Sequence, residues 1–99
     1  GTTVLVDRLW PRGVKKDAVH LDHWLKNVAP SPELRKWFNH DEEKFEEFST
    51  RYRKELNASE EEDVDKLQKL VSDGDVTLVF AAKDRDINHA VVLKKWLEE

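Results

Sequence analysis

The sequence contains no cysteine, which excludes disulfides, thiol nucleophiles and cysteine-ligated zinc. No apolar run approaches the roughly 20 residues that a membrane span requires, and no secretory signal is visible, so a cytoplasmic protein is expected. The phosphate-cradling loops GxGxxG and Walker A are absent, as are GxSxG, HExxH and any defensible Ser-His-Asp spacing. There is no internal repeat, linker or low-complexity segment. The chain opens Gly-Thr-Thr rather than with Met and enters a strand at once, so we expect a natural N-terminal segment ahead of it. A broad excess of positive charge is also lacking. The net charge of −4 disfavours a general binder of duplex nucleic acid.

What the sequence does have is a small amount of apolar material, carefully placed. Ninety-nine residues make one domain with one core, and the apolar and charged fractions are both 38%, so position matters more than quantity. Four Trp, four Phe and one Tyr supply much of that core. Charge is uneven. Residues 1–40 carry seven Lys/Arg against four Asp/Glu, whereas residues 41–75 carry six against thirteen. The acidic middle reads as the solvated face of helices, and the N-terminal part retains room for a local anion site.

Val4 to Leu9 reads as a buried strand, ended by Trp10-Pro11-Arg12-Gly13. Leu21, Trp24, Leu25 and Val28 recur at helical spacing and predict a short helix stopped by Pro30. Ser31-Pro32-Glu33 opens a further helix, with Ser as N-cap and Leu34, Trp37 and Phe38 on its apolar face. Asp41 caps the next, buried through Phe45, Phe48, Tyr52 and Leu56. Ser59 to Glu62 has the form of a capping box for a helix through Val64, Leu67, Leu70 and Val71. Val76 to Ala82 is the clearest strand, and a last helix runs from about Asn88 to the end. Two apolar strands joined through helices should lie parallel. The expected fold is α/β, a small mostly parallel sheet flanked by helices in a single domain spanning residues 1–99. Two strands do not make a stable sheet. A third must come from the segment before Gly1, from a partner chain, or from a stretch that reads as helix.

Ligands in open parallel sheets bind beyond the carboxyl ends of the strands. That rule brings Arg8, Arg12, Lys83 and His89 to one edge, beside the N-terminus of the last helix. Arginine forks and a lysine suit a phosphate or carboxylate, and a histidine there can transfer protons. The plainer reading is that the arginines pair with neighbouring aspartates and pin loops. Asp7 should be partly buried, with an arginine as its natural partner. It either orients Arg12 or acts as a base. Asn88 is first a helix cap and second a ligand contact. Trp10 lies in the loop of this edge and could wall a pocket. Trp24, Trp37 and Trp96 sit on helical stripes and read as core. His20-x-x-His23 with Asp22, and His40-Asp41, lack the further ligands of a metal centre, so neither metal nor cofactor is expected.

Several runs have a family likeness. These are Val4-Leu5-Val6-Asp7-Arg8-Leu9-Trp10-Pro11-Arg12-Gly13, Ala29-Pro30-Ser31-x-Glu33-Leu34-Arg35-Lys36-Trp37-Phe38 with His40-Asp41, Val76-Thr77-Leu78-Val79-x-Ala81-Ala82-Lys83-Asp84, and Asn88-His89-Ala90. Together they resemble the YeaO-like branch of the domain-of-unknown-function (DUF) 488 family. The resemblance implies a compact bacterial or archaeal intracellular α/β protein with one more short strand at its start. It implies no established reaction. Other branches carry Cys-His-Arg where this chain has Asn88-His89-Ala90, so thiol chemistry does not carry over. Two readings follow. One is a cleft for a small anion, phosphate or nucleotide-like, with possible catalysis by His89 and Asp7 and binding by Arg8, Arg12, Trp10, Lys83 and Asn88. The other is a non-catalytic module that binds a protein or nucleic-acid partner through the same edge.

Overall fold

The computed structural model describes residues 1–15, 17, 20–81 and 87–99. Three strands, β1 (Thr2–Leu5), β2 (His23–Trp24) and β3 (Val76–Val79), form one sheet in the order β2-β1-β3. Both pairings are parallel, with Val4 opposite His23 on one side and Leu78 on the other. The helices are α1 (Pro32–Phe38), α2 (Phe45–Ala58), α3 (Glu62–Asp73) and α4 (His89–Glu98). The parallel arrangement expected from the apolar strands is therefore present.

β1 is central because its sequence can be buried on both faces: Val4, Leu5 and Val6 are wholly inaccessible. It is shorter than the Val4–Leu9 strand expected, and its ladder ends where the Val6 amide donates to the Val79 carbonyl (3.0 Å). Beyond that point Asp7 and Arg8 turn to other partners. β3 likewise stops at Val79 rather than Ala82.

The stretch read as a helix from Leu21 to Val28 is instead strand β2 followed by a single 3-10 turn, Lys26–Val28. An isolated helix of two turns has little stability of its own. Pairing here satisfies the otherwise open side of β1: the Asp22 and Leu25 amides donate to the Thr3 and Leu5 carbonyls (2.9 Å each). The third strand thus comes from within the chain.

The helices follow their signals more closely. Ser31 caps α1 by accepting from the Leu34 amide, and Asn88 caps α4 by accepting from the Val91 amide. Asp41 caps a 3-10 turn, Glu42–Lys44, that leads into α2. The expected capping box of α3 does not form: Ser59 Oγ accepts from the Glu61 amide, and the helix starts one residue later. Phe38 stacks on Phe48 at 4.2 Å, and Tyr52 continues the row, its hydroxyl donating to the Val28 carbonyl. This aromatic row reaches the segment that links β2 to α1 through Tyr52, whose ring also meets His89 edge to face.

Candidate functional site

Where the strands end, a buried acid meets a buried base. Asp7 follows β1 and is 5% exposed. Its Oδ2 accepts from the Ala81 amide just past β3 (2.6 Å), and its Oδ1 lies 3.2 Å from His89 Nε2. Its main-chain carbonyl accepts from the Trp24 indole (2.7 Å). One residue therefore ties the ends of all three strands together. Among the described residues, no arginine pairs with Asp7. The imidazole of His89 and a backbone amide take that place, because β3 runs parallel and delivers both to the same edge.

His89 is the first residue of α4, held in place by the Asn88 cap. Its Nε2 is also 3.0 Å from the Val6 carbonyl oxygen. Both neighbours of Nε2 are acceptors, so this nitrogen carries the proton, a tautomer assigned from the hydrogen-bond network. No sealed polar side-chain atom among the described residues lacks a partner, and Nδ1 has none, so Nδ1 must reach open space. Burial pushes the His89 pKa below its usual value, and the nearby Arg35 cation adds to this. The Asp7 carboxylate and the Val6 carbonyl act in the opposite direction. The outcome is a neutral imidazole with Nδ1 as its acceptor nitrogen.

His89 lines a hollow of about 50 Å³. Phe38, Phe48 and Pro30 form its apolar part, and Arg35, His40, Ala81 and Asn88 its remaining wall. Arg35 comes from α1. His40 arrives because Asn39 and His40 both adopt left-handed backbone conformations (φ 46° and 56°) that turn the chain sharply after α1. In the sequence His40 is visible only beside Asp41 as a would-be metal ligand and Arg35 only within a family-like run, since α1 precedes the site by some fifty residues. The only local signal was Asn at the helix end, which marks a turn but not its direction.

The other expected residues are distributed around this point. Arg8 does not line the His89 hollow; its Nε and Nη2 donate to the carbonyls of Pro30 (3.0 Å) and Ala29 (3.4 Å). It faces a second, separate hollow with Tyr52 and Glu55. Arg12 is exposed in the turn that contains Gly13, whose φ of +75° suits glycine. Trp10 donates to the Val14 carbonyl (2.6 Å) and meets Trp24 edge to face at 5.6 Å, closing that turn onto β2. Lys83 lies outside the described residues. Asn88 is buried and acts as the cap. Asp22 spends Oδ2 on the Thr3 amide (2.8 Å), which holds its pKa below the usual value, and Oδ1 lies 3.5 Å from the exposed His20. Among the described residues, no group of three or more potential ligands is placed to hold a metal ion, and no helix is long and apolar enough to cross a membrane.

The fold and this edge define a class: a small parallel α/β protein with a buried Asp–His pair at the strand ends. Within that class the chain belongs to the DUF488 family, in the group described as the inactive DUF488-N3 subclade, which matches residues 1–99. It is 42% identical over 97 residues to the uncharacterized protein YeaO of Escherichia coli, covering 98% of this chain and 84% of that protein. It is 44% identical over 97 residues to the uncharacterized protein Rv3073c of Mycobacterium tuberculosis, covering 98% and 80%. The uncharacterized protein Mb3100c of Mycobacterium bovis matches to the same extent. No solved structure gives a significant match.

Proposed function

We propose that this protein binds a small anion of the phosphate or nucleotide-phosphate class at the strand ends, without turning it over. The observation that carries this reading is the Asp7–His89 pair, whose Nε2 is taken up by Asp7 and Val6 while His89 lines a hollow together with Arg35 and His40. Arg35 supplies the positive charge and a bidentate fork. A neutral Nδ1 accepts a hydrogen bond, so the best ligand carries a hydroxyl beside its anionic oxygens, as monohydrogen phosphate does. Arg12, exposed in the turn after β1, and Lys83 are the further cations of the proposal, with Asn88 and Trp10 as supports.

Two facts favour binding over catalysis. No hydroxyl or thiol lines this hollow among the described residues, and the chain has no cysteine, so an oxygen or sulfur nucleophile is lacking there and the imidazoles are the nucleophiles that remain. The family description, with its word "inactive", points the same way.

Titration with inorganic phosphate and adenosine monophosphate, followed by thermal shift, tests the proposal. Millimolar ligand should raise the melting temperature. Arg35→Ala, at an exposed helix position, should leave the melting temperature of the free protein unchanged and weaken binding about tenfold. No stabilisation of the wild-type chain at millimolar ligand would sink the reading. A second reading, docking of a partner's acidic segment, draws on one observation. Leu9 is 77% exposed beside the exposed Arg12 and Lys15, an apolar knob next to positive charge.

A further inference from the structure

The second hollow, of about 270 Å³, shares no wall residue with the first. Its walls include Arg8, Tyr52, Glu55, Glu60 and Glu61. Opposite charges therefore face one space. No ion pair among the described residues joins Arg8 to any of the three carboxylates, so the charges do not close on one another.

Each side of the hollow is held in position by backbone or hydroxyl groups. The Pro30 and Ala29 carbonyls hold the plane of the Arg8 guanidinium, while Nη1 is committed to no group among the described residues. Glu55 is oriented by the Ser31 amide (2.9 Å) and the Ser31 hydroxyl (2.7 Å), and its oxygens retain further lone pairs. The Tyr52 hydroxyl feels both sides: beyond the effect of burial, Glu55 raises its pKa and Arg8 lowers it. Glu60 and Glu61 are exposed just ahead of α3, on the wall of the hollow.

We infer that this hollow is a binding site for a small ammonium carboxylate, an amino-acid-like molecule. Arg8 receives the carboxylate, and Glu55, Glu60 and Glu61 receive the cationic groups. Three carboxylates oppose one guanidinium, so an amino acid with a positively charged side chain complements the walls better than a neutral or acidic one. The site goes beyond the phosphate reading and does not depend on it.

The test is titration of the full chain with L-lysine, followed by amide chemical shifts, with acetate and n-butylamine as single-charge comparators. Saturable shifts in residues 27–31 and 55–61 are expected, with both comparators binding at least about tenfold more weakly. The double variant Glu60→Gln, Glu61→Gln changes two exposed positions that the fold does not need, and should bind L-lysine about fivefold more weakly. Arg8→Lys, which keeps the charge but loses the fork, should also weaken it. Phosphate binding should be unchanged in the double variant, so the two sites succeed or fail separately. Lack of saturation by L-lysine would overturn the inference, as would a comparator that matches it or shifts confined to other residues.

Discussion

Protonating His89 would put a cation where burial already disfavours one, so the response of this residue to pH has a definite sign. The native imidazole has a pKa below the ordinary 6.5, while the unfolded chain takes up its proton near that value. As pH falls below about 6.5, the unfolded state binds more protons than the native one, and stability is lost until the native group also titrates. Above that range both states are neutral and the contribution is constant. His89→Gln removes this linkage along with the bonds to Asp7 and Val6. At pH 8 the variant should be less stable than wild type by about 1–2 kcal/mol, the cost of unmade buried hydrogen bonds. Urea unfolding between pH 5 and 8 should show that gap narrowing on acidification. A widening gap would mean that Asp7 holds the imidazole protonated. Asp7 was recognisable in the sequence as a buried acid, because it follows three apolar residues at the end of a strand. Its partner was not, since Ala81 and His89 lie 74 and 82 positions further along the chain.

Elements whose ends carry their own hydrogen-bonding groups were readable in advance. Ser31 and Asn88 cap as expected, Asp41 caps the 3-10 turn that leads into α2 rather than α2 itself, and the Phe48, Tyr52 and Leu56 stripe becomes the buried face of α2, with Phe45 partly buried beside it. β2 was misread because two residues of strand have no period, and the apolar spacing around them fits a helix equally well. The pairing of β2 with β1 settled the matter, and no local preference records it. At the end of α1, His40 occupies a left-handed conformation that costs a side-chain-bearing residue about 1–2 kcal/mol. His40→Gly relieves that strain and gives back part of the gain as unfolded-chain entropy, so a net stabilisation of about 0.5 kcal/mol is expected in thermal unfolding. The same variant should bind phosphate more weakly, because it removes an imidazole from the His89 hollow.

Across the whole molecule, the sheet joins the two ends of the chain. β1 pairs with β3 across more than seventy residues, and the contact of His89 with the Val6 carbonyl closes a loop of 83. Such a topology forms late, since the entropy of closing long loops comes before the contacts that reward it. It also grades local stability. β1 is paired on both sides and wholly buried, whereas β2 is a short edge. Hydrogen exchange read by NMR should find the Val6 amide exchanging only through global opening. The edge amides of Asp22 and Leu25 should exchange at least about tenfold faster. Equal protection would show that the edge strand and the centre open as one unit. On the far side, β3 borders a hollow of about 610 Å³ with half-buried Val76, Leu78, Phe80, Val91 and Leu97 on its walls. The least buried apolar material of the sheet is therefore found along this open edge.

By itself the sequence determined what depends on near neighbours along the chain. This covers the capped helices, the two apolar strands and their shared direction, the aromatic core, and the carboxyl edge as the place where polar groups gather. Only the tertiary structure decided what depends on distant segments meeting. Those features are the pairing of β2, the choice of His89 and Ala81 as partners for Asp7, the arrival of Arg35 and His40 at the hollow that His89 lines, and the diversion of Arg8 into a separate hollow. The physical reason is the range of the interactions. Caps and periodic burial act over one or two turns of chain. A hydrogen bond between Asp7 and His89 exists only once the intervening eighty residues have packed.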